Sequence, residues 1–462
     1  MPFNSQSFIL LFLPVFLIIY HYGKGIIVKR NALLIGSFLF YASFDIRFLL
    51  YLLPSIAITW LCAWWHFNSG KQWMLTFGVV LNLLCIAIFK YLNFLLVTLA
   101  GTWQLPLHTM SLLVPLGISF ITFEHISYLL DIRKGNARLY PLMQYAAYIG
   151  FFPHLISGPI VRHYELMPQL QALDSKAVNY KEIAQGIMLF VFGLVKKVLI
   201  ADQIAPVTDT LFSQAAGIKT LSFIEAWFSC LSFGTQIYFD FSGYTDMAMG
   251  LAFMMGLTLP DNFNAPYKST SIRDFWRRWH MTLSRLLRDY LYIPLGGNRH
   301  GLKIQITAIM ITMLLCGLWH GAGWMFVLWG GWHGLLLAIN ALWNNKIKSK
   351  LPEVLGWFIT FLSVMAGWVL FRSGNWHTAS TILSAMAGHT NSWLALDNVK
   401  TSDIIIVLTG LSISIFGHTT LEWVRTYFVP KQIYSYSTAL MLVYILLEIG
   451  KGKPSDFIYF QF

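Results

Sequence analysis

The sequence predicts an all-α protein that crosses a membrane many times. Hydrophobic residues make up 56% of the 462 residues and only 11% are charged, whereas an average soluble domain has about 25% charged residues. A folded particle of this size would have too few polar side chains to cover its surface in water, so lipid must surround most of it. A water-soluble globular protein is therefore excluded.

Stretches without charged residues mark the predicted spans. At about 20 residues per crossing, they indicate about 11 to 13 transmembrane helices in a single membrane domain that covers residues 1–462. The run at residues 304–345 exceeds one crossing and glycines divide it, which predicts two spans or one span with a re-entrant piece. The strongest runs cover residues 48–70, 72–89, 91–123, 304–345 and 354–371, and weaker ones lie near residues 8–22, 31–44, 183–195, 226–239, 404–421 and 436–447.

The charges at the N-terminus predict its orientation. Residues 1–23 contain no Lys or Arg, whereas Lys24, Lys29 and Arg30 follow the first apolar run. A cleavable signal peptide would begin with basic residues, so we expect a retained first span. Because basic residues favour the cytoplasmic side, the N-terminus is predicted to lie outside and Lys24 inside.

Residues 268–303 form a basic segment, with eight basic and two acidic residues, a balance of +6 in a net charge of +12. At about 100° per residue its side chains divide into two faces, which predicts an amphipathic helix at the cytoplasmic membrane surface. His280 lies near the edge of the apolar face and can point into the protein. The other basic residues are scattered between apolar runs, which does not favour nucleic-acid binding. The apolar face holds Trp279, Thr282, Leu283, Leu286 and Tyr290, and the basic face holds Arg273, Arg277, Arg285 and Arg288.

His320 is the first candidate for chemistry, because it lies within the charge-free run at residues 304–345. Burial there would disfavour the charged ring and leave a neutral imidazole that can accept a proton. The residue is either a general base or a histidine satisfied by a backbone carbonyl. His333 follows in the same run, but no Cys or carboxylate cluster accompanies the two histidines, so no metal site is indicated.

Two further polar groups interrupt apolar sequence. Asp240, Ser242 and Asp246 lie in one apolar segment, where they either form an ion or proton relay or hold helices together by pairing with basic residues of the segment 268–303. Glu124 and His125 form the other group, for which a structural pairing is expected. No Gly-x-Ser-x-Gly or Walker motif supports a hydrolase or a nucleotidase.

Eight motifs contain or flank these residues. They are Leu116-Gly117-Ile118-Ser119-Phe120, Phe152-Pro153-His154, Gly158-Pro159-Ile160-Val161-Arg162, Gly193-Leu194-Val195-Lys196-Lys197, Tyr238-Phe239-Asp240-Phe241-Ser242-Gly243-Tyr244, Pro260-Asp261-Asn262-Phe263-Asn264-Ala265-Pro266-Tyr267, Phe275-Trp276-Arg277-Arg278-Trp279-His280 and Gly317-Leu318-Trp319-His320-Gly321. Taken together, they resemble the membrane-bound O-acyltransferase family, and within it the bacterial branch of alginate and peptidoglycan O-acetyltransferase membrane subunits. The motifs follow the family's order over about two-thirds of the chain.

The resemblance implies acyl transfer in a central tunnel through the membrane, with His320 as the essential catalytic residue. His280 matches the second polar position of the family, which is Asn or Asp in sterol and protein acyltransferases. This substitution leaves its role open between binding substrate, orienting the acyl carbonyl and a second catalytic function. The region around residues 304–345 is thus the predicted catalytic-histidine region.

The remaining candidate site residues form two sets. Trp279, Trp319, Asp240, Ser242 and Asn264 are predicted to bind substrate or to line the tunnel, and Trp324, Trp329 and Trp332 either line it or pack against it. Arg277, Arg278 and Arg288 of the basic segment are expected to attract the phosphates of coenzyme A or anionic lipid headgroups.

The function implied by the resemblance is to pass acetyl from cytoplasmic acetyl-CoA across a bacterial cytoplasmic (inner) membrane for O-acetylation of a cell-wall or extracellular polysaccharide. An extracytoplasmic esterase-like (SGNH) transferase is the expected partner, and no metal is expected. The alternatives are D-alanyl transfer to teichoic acid, a proton-coupled transporter or flippase that uses Asp240, Asp246, His280 and His320, and a structural scaffold.

Overall fold

The structure, a computed structural model, describes residues 1–23, 25–105, 108–173, 178–217, 220–347, 349, 351–429, 431–452 and 457–460. Lys24, on which the predicted orientation partly rests, lies outside the described residues. Within these ranges the regular secondary structure is entirely helical. The predicted all-α fold class is confirmed.

In the described residues, nine helices form the first half of the chain. Four of them include a short π-helical or 3₁₀ segment. They are α1 (Phe8–Tyr22), α2 (Ile26–Ala42), α3 (Ile46–Ser69), α4 (Trp73–Trp103), α5 (Ile118–Arg133), α6 (Leu142–Ile149), α7 (His163–Gln171), α8 (Tyr180–Ala216, with a π-helical segment) and α9 (Phe223–Met254).

The second half begins with two short helices in the basic segment and continues with longer apolar ones. The helices are α10 (Ile272–Arg278), α11 (Met281–Leu287), α12 (Leu302–His320), α13 (Trp324–Lys346), α14 (Glu353–Arg372), α15 (Trp376–Met386), α16 (Thr401–Phe416), α17 (Thr420–Thr426) and α18 (Gln432–Gly450).

In the described part of the chain, seven helices are long and apolar enough to cross a membrane, or eight if α16 and α17, bent by 53°, form one broken span. This makes the chain a multi-pass membrane protein, with fewer spans of full length than the 11 to 13 predicted. The run at residues 304–345 contains two of these helices, α12 and α13, which agrees with the first predicted alternative of two spans.

Lysines inside helices explain part of the difference. The sequence prediction ended one span before Lys90 and began another after it, but α4 runs through Lys90 in a π-helical segment, Ala87–Tyr91. The side chain reaches inward, with Nζ 3.4 Å from Oγ of Ser119. Residues 104–117 then contain no helix in their described part, so two predicted spans become one long helix and a loop.

The chain divides into two compact units, each with its own core. The first contains Met1–Gly193, Tyr244–Pro260 and Val424–Phe460, and the second contains Leu194–Gly243 and Asp261–Trp423. Aromatic rings fill both cores, since Phe3, Phe40 and Phe152 are buried in the first unit and Trp329 and Trp368 in the second. The predicted catalytic, substrate-binding and tunnel residues lie in the second unit, whereas Asp246 lies in the first.

Candidate active site

Glycines bring the two helices that flank His320 into close contact. A Cβ atom on Gly317 of α12 would lie 2.1 Å from the carbonyl oxygen of Phe326, and one on Gly330 of α13 would lie 2.2 Å from that of Met313. Only glycine permits such an approach of two helix backbones. His320 is the last residue of α12, directly before the short turn to α13.

Aromatic rings enclose His320, whose exposed fraction is 4%. The ring centroid lies 4.8 Å from that of Trp319, 5.0 Å from Trp329 and 5.3 Å from Phe371, and all three contacts are edge-to-face. These neighbours come from α12, α13 and α14. The imidazole therefore lies in an apolar enclosure that keeps water away from it, as acyl transfer without hydrolysis requires.

His280 lies next to the same enclosure. Its ring centroid is 4.8 Å from Phe241 and 6.0 Å from Trp319, so Trp319 contacts both predicted catalytic histidines. His280 is completely buried and lies outside the seven spans. Burial lowers the pKa of His280 to about 3, so the ring is neutral at physiological pH.

The basic segment differs from the single amphipathic helix that its periodicity predicts. Trp279 and His280 interrupt the helix, and His280 adopts a left-handed backbone conformation with φ +42°. Non-glycine residues rarely adopt this conformation, and it is often found at functional sites. The predicted faces are nevertheless present on either side of the break, because Trp279, Thr282 and Leu283 are buried and Arg277 is exposed.

Asn262 holds the break in place, a role that the sequence analysis missed. Its side-chain Oδ1 accepts hydrogen bonds from Nδ1 of His280 at 3.0 Å, from Oγ1 of Thr282 at 2.9 Å and from the backbone nitrogen of Thr282 at 3.3 Å. Its backbone oxygen accepts from the nitrogen of Met281 at 2.9 Å. In the sequence, Asn262 is marked only by its position in the Pro260–Tyr267 motif, where the predicted site residue is Asn264.

The other residues predicted to line the tunnel differ in how far their side chains are buried. Trp279 is buried against Trp368, with ring centroids 4.8 Å apart, and Ser242 is buried in α9. Asn264 is exposed, and its backbone nitrogen bonds the oxygen of Arg278. Of the four tryptophans predicted around His320, Trp319 and Trp329 contact the ring, whereas Trp332 donates to the carbonyl of Ser363 and Trp324 is 60% exposed.

The predicted arginines lie at the surface of the second unit. Arg277 is exposed, Arg278 pairs with Asp274 at 3.0 Å, and Arg288 pairs with Asp289 at 2.7 Å. Both ion pairs are partly exposed to solvent, where such pairs contribute little to stability. The guanidinium groups are thus in a position to meet an anion from outside.

Asp240 does form an ion pair, but with a different partner from the one predicted. Nζ of Lys197 lies 2.6 Å from Oδ1 of Asp240 and 2.8 Å from Oδ1 of Asp202. Lys197 belongs to the π-helical segment Val195–Ala201 of α8, not to the basic segment 268–303. Lys197 and Asp240 are both buried, so this ion pair joins α8 to α9 in the interior of the second unit.

His333 and Glu124 are both buried. The ring of His333, in α13, lies 4.9 Å from that of Trp329 and 5.3 Å from that of Trp276, and Trp329 also contacts His320. In the first unit, Oε1 of Glu124 lies 3.0 Å from Nδ1 of buried His154 and accepts from the backbone nitrogen of Val161. This contact fits the structural pairing expected for Glu124.

These features define a multi-pass membrane protein with one buried histidine, His320, inside an aromatic enclosure and a second, His280, next to it. The family model of the membrane-bound O-acyltransferase family matches residues 48–371. The chain belongs to this family, and it is an acyltransferase.

Individual relatives place the chain in the bacterial branch. It is 39% identical to the peptidoglycan O-acetyltransferase of Helicobacter pylori over 84% of this chain and 80% of that protein. It is 34% identical to the probable alginate O-acetylase AlgI of Pseudomonas putida, over the full length of both chains. The teichoic acid D-alanyltransferase of Streptococcus thermophilus is 30% identical over 57% of this chain and 69% of its own length.

Proposed function

We propose that the chain passes acetyl from acetyl-CoA across the cytoplasmic membrane for the O-acetylation of a cell-wall or extracellular polysaccharide. The observation that carries the proposal is the dry aromatic enclosure of His320 in a member of an O-acyltransferase family. Relatives named for acetyl transfer to peptidoglycan and alginate support acetyl as the group transferred.

In the proposed reaction, His320 acts as the general base. The neutral imidazole takes the proton of the acceptor hydroxyl as its oxygen attacks the thioester carbon, and returns the proton to the sulfur of coenzyme A as the carbon–sulfur bond breaks. The products are an acetyl ester and free coenzyme A. The end of a helix favours the positive charge that forms briefly on the ring, because the C-terminal carbonyls of α12 point towards that end.

The basic segment supplies the contact with the donor. Arg277, Arg278 and Arg288 lie on the cytoplasmic side in this proposal, as the positive-inside rule requires, with the N-terminus outside. Their guanidinium groups bind the phosphates of coenzyme A, and anionic lipid headgroups compete for the same charges. An extracytoplasmic esterase-like (SGNH) transferase receives the acetyl group and modifies the polymer.

The test is the loss of the imidazole. We expect His320→Ala to lower polysaccharide acetylation at least about 100-fold, since a general base contributes 10²–10⁴-fold to the rate. The amount of inserted protein is measured in the same membranes, and the exposed Trp376→Ala variant is the control. Acetylation that persists in His320→Ala at normal insertion would rule out the assignment.

D-alanyl transfer to teichoic acid is the second candidate, favoured by the relative from Streptococcus thermophilus. That match covers less of the chain at lower identity than the matches to O-acetyltransferases. The two functions differ in their donors. Membranes that release free coenzyme A from acetyl-CoA support acetyl transfer, whereas turnover with only a D-alanyl thioester donor supports the alternative.

A further inference from the structure

The hydrogen bonds of Asn262 determine which nitrogen of His280 carries the proton. Oδ1 of Asn262 lies 3.3 Å from the backbone nitrogen of Thr282 and 3.0 Å from Nδ1 of His280. A backbone N–H only donates, so the Asn262 atom that faces it must be the carbonyl oxygen, which only accepts. Nδ1 of His280 therefore carries a hydrogen and donates it to that oxygen.

This assignment decides the chemistry of the opposite nitrogen. A neutral imidazole has one N–H group and one nitrogen with a lone pair. With the hydrogen on Nδ1, Nε2 of His280 is an acceptor. Burial keeps the ring in this neutral form, since the pKa of His280 falls to about 3.

The backbone around His280 is held as firmly as its ring. Asn262 accepts four hydrogen bonds from residues 280–282, two of them from backbone nitrogens of Met281 and Thr282. These bonds hold His280 in its left-handed conformation, which costs free energy unless the surroundings impose it. Phe241 and Trp319 restrict the ring from two further sides.

We propose that Asn262 is a positioning residue that keeps His280 protonated at Nδ1, so that Nε2 accepts a hydrogen bond from an O–H or N–H group of a substrate. The inference rests on the proposed acetyl transfer. It gives His280 a role other than orienting the acyl carbonyl, because a carbonyl oxygen also only accepts. Two substrate groups have the required chemistry, the hydroxyl of the acetyl acceptor and the amide N–H groups of the coenzyme A arm.

The first test replaces Asn262 with an acid of the same shape. In Asn262→Asp the carboxylate would favour the charged imidazolium, in which Nε2 carries a hydrogen and no longer accepts. We expect release of free coenzyme A from acetyl-CoA, measured in membrane vesicles containing the full chain, to fall at least tenfold at pH 6 and to recover as the pH rises. Asn344→Asp, which adds the same charge at an exposed site, should follow the wild-type profile.

Activity of Asn262→Asp equal to or above wild type at pH 6 would contradict the inference, since a donor role for Nε2 predicts that result. A general loss of folding is distinguished by the pH dependence of coenzyme A release, because the activity of a misfolded variant does not recover at high pH. Thr282→Val removes one bond to the same oxygen and leaves the bond from His280, and we expect a loss of less than threefold without a change in profile.

Two substitutions of His280 separate the roles of its nitrogens. A Gln side chain reaches the position of Nε2 and can offer its carbonyl oxygen there, whereas an Asn side chain reaches only that of Nδ1. We expect His280→Gln to retain at least tenfold more activity than His280→Asn, and the reverse order would overturn the inference. A raised KM for acetyl-CoA in His280→Gln identifies the amide groups as the partner, and a raised KM for the extracytoplasmic transferase that receives the acetyl group identifies the hydroxyl.

A spectroscopic measurement tests the inference without activity. Nitrogen NMR of the ¹⁵N-histidine-labelled chain in lipid distinguishes protonated from unprotonated ring nitrogens, and the signals lost in His280→Gln belong to His280. A hydrogen on Nδ1 and none on Nε2 supports the inference, and the opposite tautomer contradicts it. The proposed function fails separately, if wild-type membranes release no coenzyme A.

Discussion

At the scale of single residues, the ring of Trp329 is expected to keep water away from His320. It forms one wall of the enclosure of His320, with ring centroids 5.0 Å apart. Trp329→Ala should admit water, so that hydrolysis of acetyl-CoA rises at least severalfold relative to acetyl transfer. Free coenzyme A and transferred acetyl are measured in the same vesicles. For Trp329→Phe, which keeps a ring, the ratio of hydrolysis to transfer should lie between those of wild type and Trp329→Ala. An unchanged ratio in Trp329→Ala would show that the ring does not exclude water.

The buried neutral His280 also makes the fold sensitive to acid. The unfolded residue has a pKa of about 6.5, and burial lowers the pKa to about 3 in the folded chain. Between these values the unfolded chain binds more protons, so stability falls as the pH is lowered. From pH 7 to pH 5 the loss is about 2 kcal/mol. Thermal unfolding in lipid should show a smaller acid effect for His280→Gln than for wild type, and equal effects would contradict the assigned burial.

At the scale of helices, the ion pair of Lys197 joins α8 to α9. Removing one partner of a buried ion pair leaves a charge without compensation and costs about 3–5 kcal/mol. Lys197→Met should therefore lower the unfolding temperature, and Lys197→Met with Asp240→Asn should restore part of the loss. Arg47→Ala, which breaks the exposed pair with Asp45, is the control with little expected effect. If the double variant lost as much unfolding temperature as Lys197→Met alone, the uncompensated charge of Asp240 would not be the cause of the loss.

The helices also show where sequence periodicity succeeds and fails. The buried and exposed faces around Phe275 follow from the spacing of apolar residues, but the break at His280 does not. It is imposed by four hydrogen bonds that Asn262, 18 residues earlier, accepts from residues 280–282. The predicted runs 72–89 and 183–195 stop before Lys90 and before the Lys196-Lys197 pair. Lys90 and Lys197 nevertheless lie inside helices, where Ser119 and Asp240 accept hydrogen bonds from their ammonium groups.

At the scale of the whole molecule, the positive charge is concentrated where the donor is proposed to bind. Arg277 is exposed within the basic segment, which supplies +6 of the net charge of +12. Salt screens such exposed charges. We expect the KM for acetyl-CoA to rise severalfold between low and high salt at constant kcat, and Arg277→Gln to reduce that dependence. A KM that does not respond to salt would assign the basic segment to lipid headgroups instead.

The family and the all-α fold class follow from the sequence, because motifs such as Gly317-Leu318-Trp319-His320-Gly321 are local. The enclosure of His320 does not follow so directly, since Phe371 comes from another helix and carries no polar signal. Asn262 and Asn264 look alike in sequence, and only the packing of the second unit shows that the first is buried and the second exposed.

The central claim is that the imidazole of His320 meets the acyl donor. Its most direct test is a cryo-electron microscopy structure of the full chain in lipid with a non-hydrolysable thioether analogue of acetyl-CoA. We expect density for the acyl end of the analogue next to the His320 ring, with space for an acceptor hydroxyl oxygen at about 3–3.5 Å from the acyl carbon. An analogue bound elsewhere, or a His320 ring that faces lipid, would contradict it.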